Sequence, residues 1–230
     1  MIMQKKSFLK QYKAEIDVFI SSALKEDIGS GDHTGQSCLS NLQSSKANLI
    51  VKESGIIAGV ELAEYIFKSK NATFKFESKI KDGSRVKAGD VVFTTEGPQL
   101  ELLATERLVL NCMQRMSGIA TLTHQTAALI QHTKCKLLDT RKTTPNFRYP
   151  EKWAVQIGGG ENHRMGLFDM IMIKDNHIDF CGSVTAALTK TKKYLESQNL
   201  EIPVIIEVRN KEEIEACLNF EWIHRILLDN

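Results

Sequence analysis

Arg141 and Lys142 stand side by side in the stretch DTRKTTP, Asp139 to Pro145, directly after the short apolar run CKLLD. Further on, His163 and Arg164 follow GGGEN, and Lys174 closes the apolar segment FDMIMIK. As three successive strand tips, these segments would converge several cations on one pocket, a site for a compact, multiply charged anion. Arginine offers planar, bidentate pairing to carboxylate or phosphate, and lysine a point charge. Glu207 and Asp229 end two later apolar runs, PVIIEV and RILLD, as expected if Mg²⁺ or sugar hydroxyls must also be held. A cationic lobe beside an acidic one suits a substrate pair in which a polycarboxylate meets a magnesium-bound phosphate.

Each of these residues also has a plainer explanation. Arg141-Lys142 alone is an ordinary loop pair, and Gly158-Gly159-Gly160 lacks the Lys-Ser/Thr of a P-loop, so by itself it is a flexible turn. His163 and His177 lie 14 residues apart with no third good ligand nearby, which favours structural histidines over a metal pair. Glu207 and Asp229, taken singly, are salt-bridge partners for neighbouring lysines. The coincidence of position shifts the balance: the charges keep falling at strand ends, where parallel α/β folds build their sites.

The elements that must position them follow from periodicity. Apolar residues recur at helical spacing from Phe8 to Leu24 and give way to the turn-rich EDIGSGDHTG. Residues 46–96 read as short strands around one helix, VELAEYIFKS, with hairpin chemistry in KDGSRVKAGDVVFTTEG. Residues 99–131 form one long helical pattern that the pair Ser117-Gly118 breaks, which places a domain junction there: residues 1–116, then 117–230. Beyond it strands (CKLLD, AVQIG, FDMIMIK, PVIIEV, RILLDN) alternate with helices (SVTAALTKTKKYLESQ, KEEIEACLNF), the signature of parallel pairing through right-handed crossovers. The expected fold class is α/β. The chain stops just after a strand with no helix to cover it, so a barrel begun this way would be truncated at its C-terminus.

Composition excludes several functions. With 30 Lys+Arg against 28 Asp+Glu, the formal charge of +2 is too balanced for a general nucleic-acid binder, so any anion site is local. The five cysteines are odd in number, widely spaced and without a C-x-x-C pair, which argues against a disulfide framework or zinc cage and for a reducing cytoplasm. The N-terminal MIMQKKSFLKQYKAEIDVFI is amphipathic rather than a signal peptide, and no window approaches a membrane span.

From residue 23 onward the chain resembles the quinolinate phosphoribosyltransferases, also called carboxylating nicotinate-nucleotide pyrophosphorylases. The motifs that carry the resemblance are ALKEDIGSGDHT, ATERLVLNCMQRMSGIAT, DTRKTTPNFRYPEKWAVQIGGGENHRMGLFDMIMIKDNHI, IIEV and ILLDN. The third is long and order-specific.

The resemblance implies an N-terminal α+β sandwich followed by an incomplete TIM-like α/β barrel, assembled as a homodimer or homohexamer. It implies transfer of phosphoribose from 5-phosphoribosyl-1-pyrophosphate to quinolinate with Mg²⁺, releasing nicotinate mononucleotide, pyrophosphate and CO₂. By the same resemblance Thr140, Arg141, His163, Arg164 and Lys174 surround quinolinate, and Lys142 lies near the pyrophosphate donor. Arg107 reaches into the neighbouring subunit's site, while Glu207 and Asp229 face the ribose and its metal, with Lys142, Glu207 and Asp229 as the catalytic set. Asn146 stands where such sequences usually have Gly, and Trp153 replaces a usual Tyr. Two alternatives stay open: a related transferase for another heteroaromatic acid, and an inactive truncated form.

Overall fold

The structure, a computed structural model, describes residues 7–39 and 43–229. The opening MIMQKK of the expected amphipathic segment, residues 40–42 and the terminal Asn230 lie outside the described residues. The chain divides into two units, residues 1–163 and 164–230.

In the first unit the single N-terminal helix expected from Phe8 to Leu24 is two: α1 (Phe8–Gln11) and α2 (Lys13–Ile28). The backbone leaves helical geometry at Tyr12, with φ −118° and ψ 33°. Aromatic contacts fix that bend: Phe8 stacks on Trp153 with centroids 5.4 Å apart, and Tyr12 tilts against Tyr149 at 5.3 Å. The turn-rich stretch that follows contains a short helix, α3 (His33–Cys38), because the Asp32 carboxylate accepts the Gly35 N–H at 2.9 Å and so caps it.

Then come β1 (Ser44–Ile50), β2 (Gly55–Ile56), α4 (Val60–Lys70), β3 (Lys75–Ser78), β4 (Arg85–Val86) and β5 (Val91–Pro98). The antiparallel sheet runs β1-β5-β3, and β2 pairs with β4 separately. The hairpin expected in KDGSRVKAGDVVFTTEG is therefore absent: its two strands belong to different sheets, although both turns form. Asp82, in the first turn, does other work. Its carboxylate accepts the Val60 and Glu61 N–H groups at 2.9 and 3.0 Å, capping α4 where Gly59 offers no side chain.

α5 (Gln99–Ile130) runs unbroken through Ser117-Gly118, contrary to the expected interruption. Its buried face, Leu102, Thr105, Val109, Cys112, Met113, Met116, Ala120 and Thr123, keeps helical spacing across that point. Ser117 uses its hydroxyl to accept the Ala58 N–H at 3.0 Å instead of breaking the helix.

α6 (Arg148–Ile157) overturns a second expectation, since AVQIG is helical and not a strand. Pro150 sits in its first turn, where a missing N–H does no harm. Trp153 and Ala154 are buried beside it. Gly158 explains the glycine run: a Cβ there would fall 2.5 Å from the Ala120 carbonyl, so only glycine lets the end of α6 close on α5. The strand expected in CKLLD shrinks to one parallel bridge, Leu138 to Glu161.

The second unit contains β6 (Ile171–Ile173), α7 (Asp175–Cys181), α8 (Val184–Gln198), β7 (Val204–Val208), α9 (Lys211–Cys217) and β8 (Arg225–Leu228). Its sheet is parallel in the order β6-β7-β8, as strand-helix alternation predicts. Ser183 and Asn210 cap α8 and α9 by accepting the Ala186 and Glu213 N–H groups. Val204, Ile206 and Val208 pack with Ile173, Val184, Leu188 and Cys217 in one apolar cluster, each large side chain contributing about 1.5–3 kcal/mol. Among the described residues no helix is long and apolar enough to cross a membrane.

Candidate anion-binding site

Strand alternation decides where the charges of the second unit point. Val204, Ile206 and Val208 face the helix-packed cluster, so Ile205 and Glu207 face the other way. Ile173 pairs with Ile206, which sets Lys174, the next residue, beside Glu207; Lys174 Nζ lies 3.1 Å from Glu207 Oε2 and 3.4 Å from Oε1. Glu207 in turn pairs with Leu227, so Asp229, two residues on, shares its face, and the Asp229 N–H continues the ladder to the Val208 carbonyl at 3.0 Å. Three neighbouring strand ends thus carry one cation and two carboxylates. Arg164 Nη1 reaches the Met170 carbonyl at 3.4 Å, and the intervening loop is closed by Asp169, whose carboxylate accepts the Met165 and Gly166 N–H groups.

In the first unit the DTRKTTPN loop is pinned at both ends by neighbouring charges on α6. At its start, Asp139 accepts from Lys152 Nζ, from the His163 N–H at 2.8 Å and from Asn162 Nδ2 at 2.6 Å. At its end, Glu151 accepts the Thr144 N–H at 3.1 Å and its hydroxyl at 2.8 Å, and Arg115 closes on the same carboxylate at 2.9 Å. Asn146 turns the chain with φ 62°, the left-handed conformation that its short amide side chain tolerates. Between the pins, Thr140 Oγ1 accepts the Lys142 N–H at 3.0 Å, Arg141 is half-buried and Lys142 is exposed. Arg141 Nε is buried and makes no hydrogen bond to any of the described residues.

Of the residues singled out in the sequence, Thr140, Arg141 and Lys142 share one loop whose first residue holds the His163 backbone, and Lys174, Glu207 and Asp229 share the strand ends of the other unit. Arg107 is exposed on α5. His177 is structural: its Nδ1 accepts the Lys174 N–H at 3.0 Å at the start of α7. Sequence reasoning missed Lys152, Glu151, Asn162 and Arg115. α6 buries Pro150, Glu151, Lys152, Trp153 and Ala154 in succession, so no periodicity marks which charges lie inside. The one available signal was a Glu-Lys pair wedged between a proline and a tryptophan. Among the described residues no group of three or more His, Cys, Asp or Glu side chains gathers as a metal cage.

The first unit presents cations on a pinned loop, and the second a lysine and two carboxylates at parallel strand ends; the class these elements define is a mixed α/β protein. Models of the N-terminal and C-terminal domains of quinolinate phosphoribosyl transferase match residues 32–117 and 119–230. The chain belongs to the quinolinate phosphoribosyltransferase family. It is 44% identical over 217 residues to quinolinate phosphoribosyltransferase (decarboxylating) 1 of Nicotiana glauca, covering 92% of this chain and 61% of that protein. With the probable nicotinate-nucleotide pyrophosphorylase (carboxylating) of Bacillus subtilis it shares 42% over 192 residues, 83% of this chain and 66% of the relative. NadC from Streptococcus pyogenes superposes with a TM-score of 0.84 at 37% identity, covering 94% of this chain and 75% of that one. The nicotinate-nucleotide pyrophosphorylase from Francisella tularensis gives 0.84 at 35%, covering 99% and 79%. The chain spans about three-fifths of the length of the plant relatives it matches.

Proposed function

We propose that the protein transfers phosphoribose from 5-phosphoribosyl-1-pyrophosphate to quinolinate with decarboxylation, giving nicotinate mononucleotide, pyrophosphate and CO₂ on a route to NAD. The observation that carries this reading is Arg141, on the loop of the longest motif shared with the family, whose buried Nε has no partner among the described residues. An unpaired buried donor costs about 1–3 kcal/mol, a penalty that a ligand carboxylate removes on binding.

Quinolinate is a dianion at neutral pH, and desolvating it requires several preorganised cations. In this reading Arg141, His163, Arg164 and Lys174 serve its two carboxylates, with Thr140 shaping the loop, and Lys142 faces the donor's pyrophosphate. Arg107, exposed on α5, serves the neighbouring site of a homodimer or homohexamer. The pyridine nitrogen lone pair forms the new bond to the sugar C1 as the C1–oxygen bond breaks and its electrons leave with pyrophosphate. Glu207 and Asp229 stabilise the oxocarbenium-like charge that builds on the sugar while those two bonds exchange. The now-quaternary ring accepts the electron pair when the adjacent carboxylate departs as CO₂, and that carbon then takes a proton.

The residues present fit Mg²⁺. Glu207 and Asp229 offer hard oxygens on one face of adjacent strands, and Mg²⁺ commonly uses one or two carboxylates, completing its shell with water and substrate phosphate. When bound, it would neutralise charge on the departing pyrophosphate. We further read residues 1–116 as an α+β sandwich and 117–230 as an incomplete TIM-like α/β barrel, supported by the parallel β6-β7-β8 sheet with intervening helices. The scattered, odd-numbered cysteines support a cytoplasmic location.

Calorimetric titration with quinolinate and with nicotinate tests the assignment. Preferential binding of the diacid, weakened about 10- to 100-fold in Arg141→Ala without loss of thermal stability, is expected, since the lost contact is a charge-assisted hydrogen bond that only the ligand satisfies. Equal affinity for the two acids, or undiminished binding by Arg141→Ala, refutes it.

A further inference from the structure

Asp139 and Lys152 form an ion pair in which both side chains are withdrawn from water, at 7% and 1% relative exposure. A buried pair is weak evidence for stability, because desolvation consumes most of the attraction. Its connections are more informative. Asp139 directly precedes Thr140 and Arg141, and its two oxygens also take the His163 N–H and Asn162 Nδ2. Asn162 is fixed in turn by Gln156 Nε2 at 2.6 Å and by the Lys152 carbonyl at 2.8 Å. One carboxylate therefore ties the root of the DTRKTTP loop to the segment that ends at His163, and both are anchored on α6.

Charge explains why a lysine completes the knot. A bare carboxylate at the root of a loop that presents Arg141 and Lys142 would weaken the local positive potential and attract those cations away from a ligand. Lys152 cancels that charge from the protein side, and its ammonium also reaches the His163 carbonyl at 3.4 Å. We infer that Asp139, Lys152 and Asn162 are positioning residues: they set the spacing of the Arg141-Lys142 pair from His163 and keep its charge available to a dianionic ligand. The inference rests on the quinolinate reading for the identity of that ligand, and on geometry alone for the positioning.

Two readouts on the full chain test it. The first is amide hydrogen exchange of ligand-free protein at residues 140–144 and 163, with α4 (Val60–Lys70) as a remote reference. Lys152→Met is expected to lose protection at the loop and at His163 while α4 is unchanged. The double variant Asp139→Asn/Lys152→Met, neutral at both positions and keeping one acceptor oxygen for the His163 N–H, is expected to recover most of it. The second readout is affinity. Lys152→Met should weaken quinolinate about 10- to 100-fold and nicotinate less, and the double variant should return to within a few-fold of the parent.

Unchanged loop protection in Lys152→Met overturns the positioning role, as does equal loss in the single and double variants. Should Lys152→Met fail to fold, Asp139→Asn alone provides the same comparison against the double variant. If protection follows the expected pattern while the unmodified chain binds no quinolinate, the positioning stands and the substrate assignment falls.

Discussion

Lys174 Nζ rests 3.1 Å from Glu207 Oε2 because Ile173 and Ile206 are register partners in adjacent parallel strands. Backbone pairing, rather than side-chain reach, brings the cation and the carboxylate together, with 43% of the Lys174 side chain still exposed against 15% of Glu207. Such an arrangement leaves the ammonium one side for its partner and one side for a ligand.

That division predicts opposite kinetic signatures. If the proposed quinolinate reading holds, Lys174→Ala should raise the quinolinate KM by at least about tenfold, the loss expected for one cation serving the diacid. On the same proposal Glu207→Gln should leave that KM within a few-fold and lower kcat about 100-fold, the effect expected of a carboxylate that stabilises developing positive charge. Steady-state kinetics with each substrate varied in turn separate the two, and a shared KM effect would contradict the role given to Glu207.

Asn146 gives a purely structural prediction. At φ 62° the left-handed conformation suits Gly or Asn and strains most other side chains. Asn146→Gly should change the unfolding free energy by less than about 1 kcal/mol. Asn146→Val should lower it by about 1–3 kcal/mol, since a β-branched residue is poorest there. Denaturant unfolding of the two variants measures both.

Much of this fold was legible where one signal acted alone. The apolar run VIIEV and its bracketing helices gave a parallel strand, and the register of that strand then fixed Glu207. Legibility failed where long-range packing outweighed local pattern. Val155 and Ile157 made AVQIG look extended, yet Gly158 seated against the Ala120 carbonyl carries the segment as the end of a helix. Ser117-Gly118 looked like a breaker, but the hydroxyl of Ser117 is committed to Ala58 and a Cβ at Gly118 would meet open space. The candidate site followed the same rule. Cations at segment ends were visible, whereas Lys152 and Glu151, which pin the loop, are fully or nearly buried charges whose charged partners, Asp139 and Arg115, lie 13 and 36 residues away along the chain.

Glu213 sets a pH dependence. The Arg209 guanidinium, 2.6 Å from its carboxylate, holds the Glu213 pKa below the usual glutamate value. A depressed folded-state pKa means that the unfolded chain binds the proton more readily. Its stabilising contribution is present above the unfolded pKa, near about 4.3, and is lost as pH falls through the lower folded value. Glu213→Gln should therefore be less stable than the parent at pH 6, with the gap closing below about pH 4. Thermal unfolding of both proteins across that range checks the sign, and a gap that widened in acid would remove Arg209 as the cause.

Cys112 and the surface cysteines should part company in reactivity. Burial inside the α5 face pushes the Cys112 thiol up to about 12, so almost none of it is thiolate at neutral pH, and the thiolate is the nucleophile. Cys38 and Cys135 are exposed and free. Iodoacetamide at pH 7.5 should label those two in the native protein and reach Cys112 only after denaturant opens the unit. Mass spectrometry of digests before and after unfolding reads the order directly, and early modification of Cys112 would show that the helix face opens far more readily than its packing implies. The rate at which Cys112 becomes reactive in intermediate denaturant then reports the opening of α5 itself, the helix from which Arg115 holds Glu151 at the far end of the DTRKTTPN loop.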